Sequence, residues 1–144
     1  MIEVSAATSV DDELVTGLNA LIPQLSTSAP PLTREAVAAI VDSSATTLYL
    51  AREEGRVVGT LTLCLFAIPT GLRAWIEDVV VDEGARGRGV GEALTRRAIE
   101  DARRLGARTV DLTSRPSRGA ANSLYQRVGF EVRDTNVYRF VVES

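Results

Sequence analysis

A run of three valines at residues 79–81 leads through an acidic turn into a glycine-rich turn at residues 86–91, which reads Arg-Gly-Arg-Gly-Val-Gly. An amphipathic pattern follows, in which Leu94, Ala98, Ala102 and Leu105 are spaced for one buried helix face. At such a strand-turn-helix junction, glycines expose backbone N–H groups beside the positive end of the helix dipole. The junction is therefore predicted to bind an anion, most naturally a phosphate.

The residue types that the chain lacks exclude several kinds of chemistry. There is no histidine, which excludes His-based catalytic triads and most mixed zinc sites, and we predict no metal site. All 16 basic residues are arginines, so a P-loop lysine and a Schiff-base lysine are excluded as well. The one cysteine, Cys64, lies among leucines and is predicted to be a buried structural thiol rather than a nucleophile.

Three phosphate-binding patterns compete for the glycine turn. The P-loop fails because no Gly-Lys-Ser/Thr follows the turn. The dinucleotide fingerprint Gly-x-Gly-x-x-Gly fails because Glu92 stands where its third glycine is needed. The third pattern, Arg-x-x-Gly-x-Gly, matches residues 86–91.

A second run at residues 121–130 reads Ala-Asn-Ser-Leu-Tyr-Gln-Arg-Val-Gly-Phe and follows about 30 residues after the turn. The two runs together, at this spacing, resemble the GNAT superfamily of acyl-CoA-dependent N-acetyltransferases. The predicted order of elements matches that fold along nearly the whole chain. Glu83, where a proline is frequent in the family, is a small departure that affects the turn and not the chemistry.

The resemblance implies how acetyl-CoA, as co-substrate, would be held. The strand at 79–81 splays from its parallel neighbour and pairs with the pantetheine arm, while the glycine turn takes the pyrophosphate on backbone N–H groups. We expect Arg86 and Arg88 to contact the pyrophosphate through their main-chain groups. The alternatives are that their guanidiniums contribute positive charge to the site or simply face solvent. The implied cofactor-binding residues are Val79, Val80, Val81, Arg86, Gly87, Arg88, Gly89, Val90, Gly91, Asn122 and Ser123.

The resemblance also implies two catalytic residues. Tyr125 would protonate the departing CoA thiolate, because a tyrosine is protonated at neutral pH; the alternative is core packing with a satisfied hydroxyl. Glu77 would accept the amine proton directly or through water, and the alternative is a solvated strand carboxylate. Asp78 points to the opposite strand face unless a bulge intervenes. We expect no acyl-enzyme.

The hydrophobic patterns predict an α+β domain at residues 1–144, with a mixed, mostly antiparallel sheet flanked by about four helices. The order is β-α-α-β-β-β-α-β-α-β-β. The predicted strands are 2–5, 46–53, 56–67, 73–82, 109–113, 130–133 and 137–142. Four helices are predicted. The first is capped by Thr8 or Ser9 and is kinked or ended by Pro23, and the second runs from its cap at Thr33 to residue 42. The third runs from the glycine turn to residue 105, and the fourth covers residues 120–128.

Composition favours a cytoplasmic protein, since 45% of residues are apolar, one cysteine is present and no apolar run is long enough for a membrane span. The net charge of −3 argues against a nucleic-acid partner. The expected acceptor is a small-molecule or peptide amine, whose identity stays open, as does a homodimer. The alternative function is a GNAT-fold module that binds acyl-CoA without turnover.

Overall fold

The computed structural model describes residues 1–142, and the chain divides into two compact units, Met1–Thr113 and Ser114–Ser144. The elements of the first unit are β1 (Ile2–Ala6), α1 (Asp12–Leu25), α2 (Arg34–Asp42), β2 (Thr46–Glu53), β3 (Arg56–Ile68), β4 (Gly71–Val81), a short 3-10 helix (Glu83–Ala85), α3 (Val90–Arg104) and β5 (Thr109–Asp111). The second unit contains α4 (Gly119–Val128).

The described residues of the first unit form a five-stranded sheet in the order β1-β2-β3-β4-β5. Neighbouring strands are antiparallel except for β5, which runs parallel to β4. A parallel neighbour requires a crossover connection, and α3 provides it. This arrangement confirms the predicted α+β class with a mixed, mostly antiparallel sheet. It also confirms that the long apolar strand β3 is central.

The two faces of the sheet are covered by different helices. Leu48 and Leu50 of β2 pack in a cluster with α1 and α2. The buried members of that cluster are Leu14, Leu18, Val37, Leu48 and Leu50. Tyr49 points to the other face, because successive strand side chains alternate, and its hydroxyl donates a hydrogen bond to Asp101 of α3 at 2.5 Å. Thus α1 and α2 cover one face, and α3 covers the other.

Side-chain caps begin α1 and α2. Thr33 Oγ1 accepts a hydrogen bond from the Ala36 N–H at 3.1 Å, which confirms the predicted start of α2. The predicted cap of α1 at Thr8 or Ser9 is wrong: Asp11 accepts from the Leu14 N–H at 2.8 Å instead. A carboxylate both satisfies this N–H and interacts favourably with the helix dipole, which explains the later start. Pro23 lies inside α1 and does not end it.

The two strands predicted at 130–133 and 137–142 are a wrong prediction. Residues 130–142 contain neither helix nor strand, and the strand predicted at 109–113 ends at Asp111. Large apolar side chains in this C-terminal segment are exposed, with Tyr138 and Phe140 each at 88%. β propensity reflects the fit of a side chain on a half-buried, paired surface. Among its described residues, the second unit offers this segment no paired strand, so propensity alone did not form one.

Candidate active site

β4 contains a bulge at its two carboxylates. Leu61 of β3 faces two residues of β4, Asp78 and Val79, where a regular ladder would have one. Asp78 has a φ of +51°, in the left-handed region that few non-glycine residues adopt. Such a bulge changes the direction of the side chains around it, and both Glu77 and Asp78 are exposed. The alternating pattern that would place Asp78 opposite Glu77 is therefore broken at this point.

Cys64 of β3 lies near this acidic pair. Burial raises the pKa of the Cys64 thiol, and the negative charges of Glu77 and Asp78 raise it further. The thiolate is the nucleophilic form of cysteine, so a raised pKa makes the residue a poor nucleophile at neutral pH. The structure supports a passive role for Cys64, although its side chain is half-buried rather than fully buried.

The pairing between β4 and β5 stops well before β4 ends. The parallel ladder joins the pairs Arg73–Thr109, Ala74–Val110 and Trp75–Asp111. Since β4 continues to Val81, its second half has no strand partner on this side among the described residues of the first unit. The second half of β4 therefore has a free edge at the place where the resemblance implies a splayed strand. A strand edge of this kind can pair with an extended, amide-containing ligand.

The glycine turn brings an open helix start next to the end of β4. Gly87 and Gly89 have φ values of +81° and +80°, a conformation that glycine adopts without strain. A Cβ placed on either residue would have no atom within 4 Å, so the space beside both is open. Gly89 is the N-cap of α3 and has no side chain to accept a hydrogen bond from the first turn. Gly89 thus leaves the N–H groups of that turn without a side-chain cap, as an anion site at a helix start requires.

Asp82 and Gln24 anchor the connection between β4 and the glycine turn. Asp82 Oδ2 accepts from the Gly84 N–H at 3.1 Å, and Asp82 Oδ1 accepts from Gln24 Nε2 at 3.0 Å. Gln24 Oε1 accepts from the Glu83 N–H at 2.9 Å. The hydrogen bond from Gln24 is the main cause that holds the pKa of Asp82 below its ordinary value. No sequence pattern points to Gln24, because it lies 58 residues from Asp82 along the chain, on α1.

Arg86 and Arg88 bind the turn that contains them. Arg86 Nε donates to the Val81 carbonyl at 3.4 Å, and Arg88 Nη2 donates to the Gly84 carbonyl at 3.1 Å. Arg88 Nη1 also forms an ion pair with Glu53 at 2.8 Å. Both guanidiniums therefore brace the turn, which agrees with the main-chain role expected for these residues.

Two of the predicted cofactor-binding valines have buried side chains. Val80 is 5% exposed and Val90 is 2% exposed. Their side chains belong to the core, so only their main-chain atoms are left for a ligand. Gly91 is the second residue of α3 and contributes to the open first turn.

The second unit contains the three remaining predicted residues on α4. Asn122 Nδ2 donates to the Arg115 carbonyl at 2.9 Å, which fixes the loop before the helix. Ser123 is exposed. Tyr125 follows Asn122 by three residues, and residues at this spacing are neighbours on a helix surface.

Tyr125 is buried and packs against an aromatic neighbour within the second unit. The side chain is 8% exposed, and its ring packs edge-to-face on Phe130 with centroids 5.8 Å apart. Burial raises the pKa of Tyr125 above its ordinary value, and the positive charge of Arg118 opposes this shift. Tyr125 therefore stays protonated at neutral pH and has a proton to donate.

Metal binding and membrane insertion find no support in residues 1–142. In that part of the chain, no group of three or more His, Cys, Asp or Glu side chains is arranged to hold a metal ion. No helix described there has the length and apolar character that crossing a membrane requires.

Comparison with known proteins yields one family. The protein-family model described as "Acetyltransferase (GNAT) family" matches residues 18–130. Glucosamine 6-phosphate N-acetyltransferase 1 of Oryza sativa subsp. japonica is 36% identical over 124 aligned residues, covering 79% of this chain and 73% of that protein. N-alpha-acetyltransferase MAK3 of Arabidopsis thaliana is 33% identical over 96 residues, covering 67% of this chain and 50% of that protein.

A solved structure agrees with these relatives. The putative acetyltransferase from Agrobacterium tumefaciens str. C58 is similar with a TM-score of 0.85 and 30% identity, covering 97% of this chain and 99% of that chain. The similarity therefore extends over the whole fold and not only over the glycine turn. With a family match across residues 18–130, the chain belongs to the GNAT family, and it is an acetyl-CoA-dependent N-acetyltransferase.

Proposed function

We propose that residues 1–144 act as one GNAT domain that transfers the acetyl group of acetyl-CoA to a primary amine by direct attack in a ternary complex. The observation that carries this proposal is the adjacency of two open backbone surfaces in the first unit. The second half of β4 has an unpaired edge, and α3 begins at a glycine without a capping side chain. Together they suit a ligand that has an amide-containing arm and a pyrophosphate, as acetyl-CoA has.

The proposed cofactor contacts follow from this arrangement. Main-chain groups of Val79 and Val81 pair with the pantetheine amides, as an added strand would. The N–H groups of residues 86–91 bind the pyrophosphate, and the dipole of α3 adds attraction. Asn122 and Ser123 bind the cofactor arm from α4. Arg86 and Arg88 hold the turn in its binding conformation through their bonds to Val81 and Gly84.

The proposed chemistry requires two proton transfers. Glu77 accepts a proton from the amine, directly or through a water molecule, while the amine nitrogen forms a bond to the acetyl carbon. The carbon–sulfur bond then breaks, and Tyr125 donates its proton to the departing thiolate. Tyr125 is protonated at neutral pH, as a general acid must be, although burial raises its pKa and so makes it a weaker acid than an exposed tyrosine. Direct attack is favoured because the chain has no histidine and Cys64 is a poor nucleophile.

We propose a small-molecule or peptide primary amine as the acceptor. One relative is named for glucosamine 6-phosphate and another for N-alpha-acetylation, so both classes belong in a test. The exposed pair Glu77 and Asp78 gives the β4 bulge a negative charge, which favours acceptors that arrive as ammonium ions.

A ligand-binding experiment tests the cofactor site. A ligand that binds only the folded state stabilises it by about 2.7 kcal/mol at 100 times its Kd. Millimolar acetyl-CoA is therefore expected to raise the melting temperature. An unchanged melting temperature would contradict the proposed function. Thiol release across a panel of amines, including glucosamine 6-phosphate and a peptide with a free N-terminus, would separate an enzyme from a module that binds acyl-CoA without turnover.

Replacing Tyr125 tests the acid. Tyr125→Phe is expected to lower kcat by roughly 100-fold, because the thiolate then departs without its proton donor, while the Kd for CoA stays unchanged. Tyr138→Phe is the matched control, since Tyr138 is 88% exposed and removal of its hydroxyl should leave kcat as in the wild type. Equal rates for Tyr125→Phe and the wild type would show that the assignment of the acid is wrong.

A further inference from the structure

Gly59 lies in the interior of the central strand β3, directly beneath the first turn of α3. A Cβ placed on Gly59 would lie 2.9 Å from Val90 Cγ1 and 3.2 Å from Leu94 Cδ1. The first distance is shorter than carbon atoms tolerate, and the second is tight. The sheet and the start of α3 therefore approach each other more closely here than a side chain would allow.

The backbone of Gly59 does not itself require glycine. The glycines with left-handed φ are elsewhere in the described chain, so an alanine at position 59 would meet no backbone strain. Glycine within a strand costs roughly 0.5–1 kcal/mol relative to alanine, because it loses more conformational freedom on folding. A glycine in the interior of a central strand therefore calls for a steric reason, and the close approach of α3 provides one.

The position of Gly59 connects both parts of the cofactor site. Gly59 pairs across the ladder with Val81, the last residue of β4. The residue above it, Val90, is the first residue of α3 and directly follows Gly89. The height of α3 over Gly59 thus determines how far the N–H groups of its first turn lie from the end of β4.

We propose that Gly59 is a positioning residue for acetyl-CoA: by having no side chain, it sets the spacing between the open start of α3 and the unpaired edge of β4. This inference rests on the proposed function, since it takes that helix start as the pyrophosphate site. The pantetheine arm and the pyrophosphate belong to one molecule, so the two backbone surfaces must stand at a fixed distance to bind both. A methyl group at position 59 changes that distance.

The stiffness of the neighbours makes the effect measurable. Val90 is β-branched and 2% exposed, and Leu94 is fully buried, so neither can turn away freely. Gly59→Ala is expected to displace the first turn of α3 and to weaken CoA binding about tenfold, as when a charge-assisted hydrogen bond is lengthened. Isothermal calorimetry with CoA measures this Kd without requiring an acceptor or turnover.

Gly17→Ala is the matched control. A Cβ on Gly17, in α1, would lie 3.0 Å from Val57 Cβ, so this substitution also crowds a helix against β3. It does so away from the start of α3. We expect Gly17→Ala to lower the melting temperature while the Kd for CoA stays within about twofold of the wild type. Equal losses of affinity in the two variants would overturn the proposal, because general destabilisation would then explain both.

A second substitution makes room for the added methyl group. Val90→Ala removes Cγ1, the nearest atom that the new Cβ would meet, and keeps the main chain that faces the ligand. The double variant Gly59→Ala/Val90→Ala is expected to bind CoA within about twofold of Val90→Ala alone. A further tenfold loss in the double variant would contradict the steric argument. If Gly59→Ala alone does not fold, the comparison of the double variant with Val90→Ala tests the proposal in its place.

The outcome separates this inference from the function on which it rests. If the wild type binds CoA and Gly89→Ala weakens binding while Gly59→Ala does not, the pyrophosphate site stands and the positioning role of Gly59 is wrong. If Gly89→Ala leaves binding unchanged, the proposed cofactor site is itself contradicted.

Discussion

The two ends of α3 are built for different purposes. Near its C-terminal end, Asp101 accepts hydrogen bonds from the Tyr49 hydroxyl at 2.5 Å and from Arg97 Nε at 3.1 Å. Arg97 also donates to the Val4 carbonyl at 3.1 Å, which ties the helix to β1 as well as β2. At its N-terminal end, Gly89 provides no side chain at all. One helix thus separates attachment to the sheet from the binding of a ligand.

The helices α1 and α2 of the first unit show how much stability α3 loses by starting without a side-chain cap. Asp11 and Thr33 cap α1 and α2 with side-chain oxygens. A cap of this kind typically contributes about 1 kcal/mol to stability. At α3 this contribution is absent, and the same N–H groups are left for a ligand. Among the α-helices described in the first unit, α3 alone begins without a side-chain cap, as the proposed binding of an anion at this helix start requires.

The largest effect is expected at the open end of α3. Gly89→Ala forces a side chain into a left-handed backbone and is expected to weaken CoA binding by roughly 100-fold, because the anion-binding turn must change shape. Gly106→Ala is the matched control at the other end, since Gly106 has a φ of +91° and equally open space. It should lose similar stability and keep the wild-type Kd. Calorimetric titration with CoA measures both, and weaker binding by both variants would break the comparison.

The second-largest effect is a loss of stability, expected at the C-terminal end of α3, where the helix is attached to the sheet. Asp101→Ala leaves the buried Tyr49 hydroxyl and the Arg97 guanidinium without their carboxylate, which is expected to lower the free energy of unfolding by about 2 kcal/mol. Urea unfolding measures this loss. The Kd for CoA should change less than about twofold in conditions where the variant is folded. A large loss of CoA affinity with little loss of stability would show that the ends are not separate.

The pH dependence of stability provides a smaller effect at the same carboxylate. Burial acts to raise the pKa of Asp101, but the hydrogen bonds from Tyr49 and Arg97, with the charges of Arg97 and Arg104, outweigh it and hold the pKa below its ordinary value. The folded state therefore binds this proton more weakly than the unfolded chain, whose Asp pKa is about 3.9. The stabilisation is present above that pKa and is lost as the pH falls through the folded pKa.

Wild type and Asp101→Asn should consequently differ most above about pH 5 and converge as the pH falls below the ordinary Asp pKa of about 3.9 and through the lower folded pKa. Asp82 also has a lowered pKa, but it is present in both proteins and its contribution cancels. Urea unfolding across this pH range measures the difference. A constant difference at every pH would mean that the charge of Asp101 does not contribute.

The smallest effect is expected at an exposed ion pair on α3. Arg103 and Glu100 form an ion pair at 2.9 Å, and their side chains are 70% and 67% exposed. Exposed pairs contribute little because water screens them, so Arg103→Ala should lower the free energy of unfolding by less than about 0.5 kcal/mol. A loss as large as that of Asp101→Ala would show that this exposed pair contributes as much to the stability of the protein as the buried network does.

Local patterns predicted most of the fold. The strand at 46–53, the start of α2 and the helix after the glycine turn were found where predicted, because each depends on side chains that are near in sequence. The free edge of β4 and the left-handed glycines also agree with the interpretation of residues 79–91. The C-terminal strands were not found, because strand formation requires a partner that propensity does not specify.

Other features of the site depend on contacts between distant residues. The bulge at Asp78 depends on the register between β3 and β4, and the sequence left open whether this strand is regular or bulged. Gln24 reaches Asp82 from α1 only in the folded chain. A lone glycine in an apolar strand is visible in the sequence at position 59. The steric reason for it is not, because Val90 approaches Gly59 only in the folded chain.

The sequence by itself determined the kind of ligand and the family, because glycine spacing at a helix start and the Asn-Ser-Leu-Tyr run are properties of neighbouring residues. The tertiary structure alone decided where the pairing of β4 with β5 stops, how closely α3 approaches β3, and that both carboxylates of the bulge face solvent. The physical reason is that backbone conformation follows local chemistry, whereas strand register and helix height follow from packing between residues far apart in the chain.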